Sequence, residues 1–532
     1  MAAQRIQPSS GKQRSRCGAL LIALVAVLAV ALAGVALAYI HFAPLAGFGV
    51  SSTKTPTPPT YSLVGGGRCV TLGSHPTGPY ANVQVSHDSF LAHSEPMLAE
   101  NPANPLQLVG GSKFFTNPAK YAFQIGYFSS SDGGCTWTDG GLLPGYADRG
   151  RVSDITMAFG PSGHVYALVL YLAKDFIESG IAVSTSTDGG KTFGQPVAVY
   201  DNPTGAVFGD KPWIAVDMSH GPHRGAVYVA WSYDTGAPCG YGNFCIQHLG
   251  VARSVDGART FSPVQFTEGN APFCTNAVPG RALGDTRCDS VLGATPAVEP
   301  DGTLAIAYAY FDLTSGIQGR PLIPTRLVVV TSHDGGQTWS TPVRAVTVHD
   351  TPPVVPPDDY RAFPLPAFAA DPSTSGRLYL AWMDEQQGQS NILVATSRDD
   401  GQTWSAPLRV NDGPSGSGAT KADNASQPAL AVAPDGVVSV IFFDARNDPT
   451  HHLLDLYLTQ SRDHGASFTS NIRVTTVSSD PRAGGPRDEG GQLFFGDYQG
   501  LAADNAFVHP FWNDTRTGSQ QIETAALPSI QP

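Results

Sequence analysis

Beyond about residue 80 the chain is a succession of short apolar runs broken by Gly, Pro, Asn and Asp. In one unit Trp213-Ile214-Ala215-Val216 predicts a first strand, Ala226-Val227-Tyr228-Val229-Ala230-Trp231 a second and His248-Leu249-Gly250-Val251-Ala252 a third, with a fourth after the turn that follows. Equivalent first strands are predicted near Met97, Ile155, Ala297, Ala367 and Ala429. Second strands such as Leu378-Tyr379-Leu380-Ala381-Trp382 and Val437-Val438-Ser439-Val440-Ile441 alternate with the period of two that a half-buried strand requires. The pattern predicts an all-β chain of repeated four-stranded antiparallel sheets.

The turn after each third strand carries the repeat most clearly. Ser332-His333-Asp334-Gly335-Gly336-Gln337-Thr338-Trp339 recurs with little change from Ser130, Ser186, Ser254, Ser397 and Ser461. Its aspartates, Asp132, Asp188, Asp256, Asp334, Asp399 and Asp463, are 56, 68, 78, 65 and 64 residues apart, the period of a supersecondary unit. A short Asp accepts from the amides that follow it, Gly supplies positive φ, and the closing Trp or Phe brings apolar area back into the sheet.

This octapeptide resembles the Asp box, or BNR repeat, of sialidases and other β-propellers, with Ala258 for Gly and Ser467 for Thr as the departures. The resemblance implies a β-propeller whose boxes are fold elements placed away from the active site. A seventh first strand follows Gly496-Asp497-Tyr498-Gln499-Gly500-Leu501, which repeats Gly209-Asp210-Lys211-Pro212-Trp213, but no box follows it. That last unit has three strands, and Ala81-Asn82-Val83-Gln84-Val85 is the strand available to cover its open edge. The count gives seven blades, against six in the sialidases.

Residues 18–40 are uncharged and almost wholly apolar, and as a helix they reach about 34 Å, enough to span a bilayer core. With Arg5, Lys12, Arg14 and Arg16 before them, they predict a transmembrane anchor with the N-terminus in the cytoplasm and the propeller outside; cleavage near Ala36-Leu37-Ala38 is the alternative. The resulting division is a cytoplasmic tail at 1–17, an anchor at 18–40, a Pro/Thr/Gly-rich linker at 41–80, the propeller at 81–526 and a tail at 527–532. Net charge is -12 and no Lys/Arg run follows the apolar segment, which argues against a nucleic-acid partner. Six cysteines lie on the exported side, and short loops favour Cys239 with Cys245 and Cys274 with Cys288, leaving Cys69 with Cys135. No CxxC or close Cys/His spacing predicts a metal, and no cofactor is expected.

In an up-and-down blade the starts of the first strands and the ends of the second share the face opposite the boxes, and there they form the mouth of the central channel. Glu95, Asp154, Asp210, Lys211, Arg361, Asp497 and Tyr498 stand at first-strand starts, and Asp444, Arg446 and Arg516 at second-strand ends. Guanidiniums there suit a carboxylate-bearing or other polar ligand such as a sugar. The sialidase resemblance implies catalytic roles for Asp210 or Asp497 as acid and Tyr498 as nucleophile, with Lys211, Arg361, Asp444, Arg446 and Arg516 binding substrate. The Phe/Tyr-Arg-Ile-Pro signature of that family is replaced by Tyr360-Arg361-Ala362-Phe363-Pro364 in the fifth unit. Two functions therefore stand as expectations: a sialidase-like glycoside hydrolase, and a non-catalytic propeller that binds glycan or protein at the cell surface.

Overall fold

The computed structural model describes residues 80–530, apart from 175–177, 205–206, 236–245, 275–284, 312–323, 350–353, 356–357, 359, 387–388, 414–424 and 489, together with a two-stranded hairpin at Leu63–Val64 and Arg68–Cys69. Seven antiparallel sheets follow one another along the chain. Blade 1 is Ala92–Glu100, Leu108–Asn117, Ala122–Ser130 and Thr138–Leu142; blade 2 is Arg151–Phe159, Val165–Leu172, Ser179–Ser186 and Val197–Asn202. Blade 3 is Val207–Val216, Val227–Thr235, Ile246–Ser254 and Gln265–Phe266; blade 4 is Val291–Val298, Leu304–Phe311, Pro324–Ser332 and Val343–Thr347. Blade 5 is Ala367–Ala370, Leu378–Gln386, Gln389–Ser397 and Leu408–Arg409; blade 6 is Ala425–Val432, Val438–Asp444, Asp455–Ser461 and Ile472–Arg473. Each first strand packs against that of the next blade, and the strand of blade 7, Gly500–Ala503, returns to that of blade 1. Several alanines of these innermost strands, Ala158, Ala215, Ala297 and Ala503, are only partly buried, which marks an open central channel.

Blade 7 continues with Phe507–Asp514 and Gln521–Thr524 and is completed by Val83–Gln84, in register Val83 with Thr524 and Gln84 with Glu523. The arm imitates an ordinary fourth strand down to its side chains. In blade 6, Asn471 precedes the fourth strand, donates to the Val410 carbonyl of blade 5 at 2.9 Å and accepts from Arg446 Nη2 at 3.1 Å. In the arm, Asn82 donates to the Val474 carbonyl at 2.9 Å and accepts from Arg516 Nη2 at 2.9 Å. The fold also extends past residue 526, because Leu527–Pro528 pairs with Phe507–Val508.

All six boxes are bonded alike. The Ser hydroxyl donates to Asp Oδ1 at 2.7–2.9 Å and accepts from the amide four residues on at 2.8–2.9 Å. The Thr or Ser near the end of the box donates its amide to Asp Oδ1 at 2.8–3.0 Å and its hydroxyl to Oδ2 at 2.5–2.7 Å. These bonds favour the ionised carboxylate: the Ser467 hydroxyl leads in holding Asp463 down to about 2. The boxes also join blades, since a glycine in the turn sits against the blade before it. Gly190 of blade 2 faces Val109 of blade 1, and Gly401 of blade 5 faces Val329 of blade 4.

Cys274 and Cys288 form a disulfide as expected, and Cys135 is disulfide-bonded too. Cys239 and Cys245 lie outside the described residues, as does the predicted 18–40 span. Among the described residues no helix is long and apolar enough to cross a membrane.

Gly190→Ala tests the blade contact. Its φ is +84°, and a Cβ there would lie 2.2 Å from Val109 Cγ2. The left-handed backbone costs about 1–2 kcal/mol and overpacking about 1–3 kcal/mol. A urea unfolding curve should show a loss of at least about 2 kcal/mol; an unchanged midpoint would mean that the box does not pack on its neighbour.

Candidate functional site

Five of the seven first strands are interrupted by the same bulge, where the register slips between Ser94 and Met97, Ser153 and Thr156, Asp210 and Trp213, Leu292 and Thr295, and Ser426 and Ala429. In each bulge one residue is left-handed: Glu95 (φ 52°), Asp154 (53°), Lys211 (48°), Gly293 (66°) and Gln427 (50°). A non-glycine residue there costs about 1–2 kcal/mol, so four such residues in register record a constraint on the ring. A bulge re-aims the side chain it carries. Here Lys211 meets both Glu95 and Asp154, which come from the two preceding blades.

Lys211 is the hub. Its Nζ lies 3.3 Å from Glu95 Oε1, 3.2 Å from Asp154 Oδ1 and 2.6 Å from Asp497 Oδ2, in the segment that leads into blade 7. Asp497 in turn accepts from Arg361 at both oxygens, Nε to Oδ1 at 2.9 Å and Nη2 to Oδ2 at 2.7 Å. Arg361 Nη1 reaches Asp488 at 3.2 Å, and the faces of its guanidinium lie 5.0 and 4.8 Å from the rings of Phe363 and Phe494. On the other side Lys113 pairs with Glu95 and lies over Phe123 and Phe494. Tyr498 packs edge-on against Trp213 with its ring 5.3 Å from Lys211 Nζ; its buried hydroxyl has no hydrogen-bond partner among the described residues. All of these charged groups are buried except Asp210, which is half-buried.

Burial and like charge separate the carboxylates. Burial first, then repulsion from Asp154, lifts Asp210 to about 6. Burial also raises Glu95 despite Lys113 and Lys211. At Asp497 and Asp154 burial is outweighed by the cations, Arg361 leading at the first and Lys211 at the second, and both lie below the usual carboxylate range. Tyr498 is pushed well above the ordinary phenol value by burial, then by Glu95 and Asp154.

The structure therefore brings together Asp210, Lys211, Arg361, Asp497 and Tyr498, as the shared-face argument required. It places Asp444, Arg446 and Arg516 in other company. Arg446 Nη2 donates to Asp444 Oδ2 at 2.6 Å, the guanidinium pairs with Asp412, and it lies 4.2 Å from the Tyr457 ring. Arg516 Nη2 donates to Asp514 Oδ2 at 2.6 Å and, with Nη1, reaches Asn82 and Thr476. The cause is local: each Arg follows an Asp by two residues, so the guanidinium folds back onto that Asp and on to the neighbouring fourth strand. Lys113, Asp488 and Phe494 were not anticipated as parts of the centre. One usable signal was the repeated pair before the bulge proline, Glu95-Pro96, Lys211-Pro212 and Gln427-Pro428.

Residues 289–485, which contain three of the boxes, match the model of the BNR repeat-like domain. With six boxes at one station of six blades and a seventh blade closed by the N-terminal arm, the fold is a seven-bladed β-propeller whose turns carry the box. Among solved structures it is similar to a protein of unknown function from Dyadobacter fermentans, at 16% identity and a TM-score of 0.43, covering 71% of this chain and 95% of that one. It is similar also to a Hadza microbial sialidase, at 17% identity and a TM-score of 0.43, covering 80% and 75%. The NanB sialidase from Streptococcus pneumoniae follows at 12% identity and 0.38, covering 84% and 70%. No curated protein matches the sequence.

Lys211→Met should show what the hub does. It leaves Glu95, Asp154 and Asp497 facing one another without their shared cation, at a cost of about 3–5 kcal/mol. The sign of the pH effect follows from the lowered pKa of Asp154 and Asp497. Their contribution is present above the unfolded carboxylate value and is lost as pH falls through the folded one. The variant forfeits this contribution, so its melting deficit should be largest at pH 7 and shrink towards pH 2, below the unfolded carboxylate value of about 4. An equal deficit at both would refute the electrostatic role.

Proposed function

We propose that the protein is a glycoside hydrolase held outside the cytoplasm by residues 18–40, with its site at the mouth of the propeller. The observation that carries this reading is the divergence of neighbouring carboxylates: Asp210, half-buried and raised to about 6, beside Asp154 and Asp497, held ionised by cations. Titratable groups pushed apart at a concave site supply an acid and a fixed negative charge near neutral pH. In this reading Asp210 moves the proton to and from the glycosidic oxygen. Asp497 stays ionised, and with Asp154 faces the developing oxocarbenium charge. Tyr498 is the nucleophile, its proton leaving towards Glu95, whose charge it feels.

A second reading, a propeller that binds glycan without cleaving it, is favoured by one specific feature: the phenol of Tyr498 holds its proton more tightly than in water, the reverse of an activated nucleophile.

A panel of fluorogenic glycosides, sialosides included, separates the two. For the hydrolase, kcat/KM should fall as pH rises through about 6, and Asp210→Asn should cost about 10²–10⁴-fold. Tyr498→Phe should abolish turnover while melting no lower than the parent, because the hydroxyl it removes has no hydrogen-bond partner among the described residues. Absence of turnover with every glycoside, together with retention on a glycan surface, would leave the binding reading. For topology, protease added to intact cells should remove the propeller; a soluble form beginning near Tyr39 would replace the anchor with a cleaved signal.

A further inference from the structure

The charges at the mouth bear on which sugar it takes. Every ammonium and guanidinium of the described central cluster already touches a carboxylate: Lys113 has Glu95, Lys211 has Glu95, Asp154 and Asp497, and Arg361 has Asp497 and Asp488. Three cations face five carboxylates, Glu95, Asp154, Asp210, Asp488 and Asp497, so with all ionised the formal charge is -2. The Arg361 guanidinium also lies over the rings of Phe363 and Phe494. The next guanidinium, Arg151, lies against the rings of Tyr121 and Phe123. The most exposed charged member of the cluster is itself an acid, Asp210.

We infer that the sugar seated at this mouth carries no anionic group: the site suits uncharged or amino sugars rather than sialic acids, uronates or sulfated sugars. The inference rests on the glycan reading above and fixes the charge class of its ligand. An incoming carboxylate would have to displace Asp497 from Arg361 and leave it beside Glu95 and Asp154. A bidentate guanidinium–carboxylate pair is the arrangement least ready to open. Hydroxyl and ammonium groups, by contrast, donate to carboxylates without displacing anything. Burial chiefly raises Asp210 and Glu95, and the charges of Asp154 and Asp497 add to it. The net charge of -12 over the whole chain repels anions at longer range in the same sense.

The test measures binding and turnover of the full chain on four glycan sets: neutral hexosides, oligomers with free amino groups, sialosides and uronates. Activity or retention confined to the first two is expected. Free N-acetylneuraminate and glucuronate should fail to compete. Affinity for a sialoside that disappears when its carboxylate is methyl-esterified would overturn the inference while leaving the glycan reading intact. Silence on all four sets would overturn both. Asp497→Asn supplies a gain-of-function arm: it releases the Arg361 edge and should let N-acetylneuraminate bind where the parent does not. Asp488→Asn, on the outer nitrogen of the same guanidinium, serves if the first variant does not fold. A folded variant that still binds no anion would count against this account of the charges.

Discussion

One ammonium group ties most of the ring together at its axis. Lys211 comes from blade 3, and the carboxylates around it from blade 1, blade 2 and the approach to blade 7. Through Asp497 the network continues to Arg361, at the approach to blade 5, and Gln427 of blade 6 donates to the Gly496 carbonyl beside it. In blade 4 the bulge residue is Gly293, which has no side chain to put there. Burying so many charges is tolerable only because each is paired, and breaking one pair strands the rest. The same cluster is thus both the inner fastening of the fold and the candidate chemical centre, so substitutions in it are expected to mix losses of stability and of function. Melting data are needed beside every kinetic measurement made there.

The architecture was legible because it is written several times over. A single Ser-x-Asp-x-Gly turn would have meant little, but six in one period, each after an alternating apolar run, define the blade and its orientation together. The closing strand was legible by subtraction, from an edge left uncovered after Gln521–Thr524. A residue-level signal for it also exists: Asn82-Val83-Gln84-Val85 reads like Asn471-Ile472-Arg473-Val474. The centre was legible only in part. Position along a strand tells which end of the blade a residue occupies, which is why Asp210, Lys211, Arg361, Asp497 and Tyr498 converge. It does not tell whether a long side chain turns to the axis or to the next blade. For Arg446 and Arg516 the Asp two residues earlier decided that, and for Glu95 and Asp154 the left-handed bulge did. Lys113, in the interior of a second strand, had no marker at all.

The arrangement also separates geometry from chemistry. Four different side chains and a glycine occupy the same backbone bulge, so the ring keeps its shape while its charge is set by what each position holds. The sialidase likeness in the turns therefore says little about what the mouth binds, where Arg361 is already occupied.

The sheet that seals the ring is finished by residues from the far end of the chain, and this gives the fold a mechanical property. Any pull that reaches residue 80 along the chain falls first on Asn82 and on the Val83–Gln84 ladder. Drawn along the strand axis, that short ladder and the Arg516 grip on Asn82 are strained together and yield late; drawn sideways, they open one after another. The direction of tension, more than its size, would then decide whether the propeller stays shut.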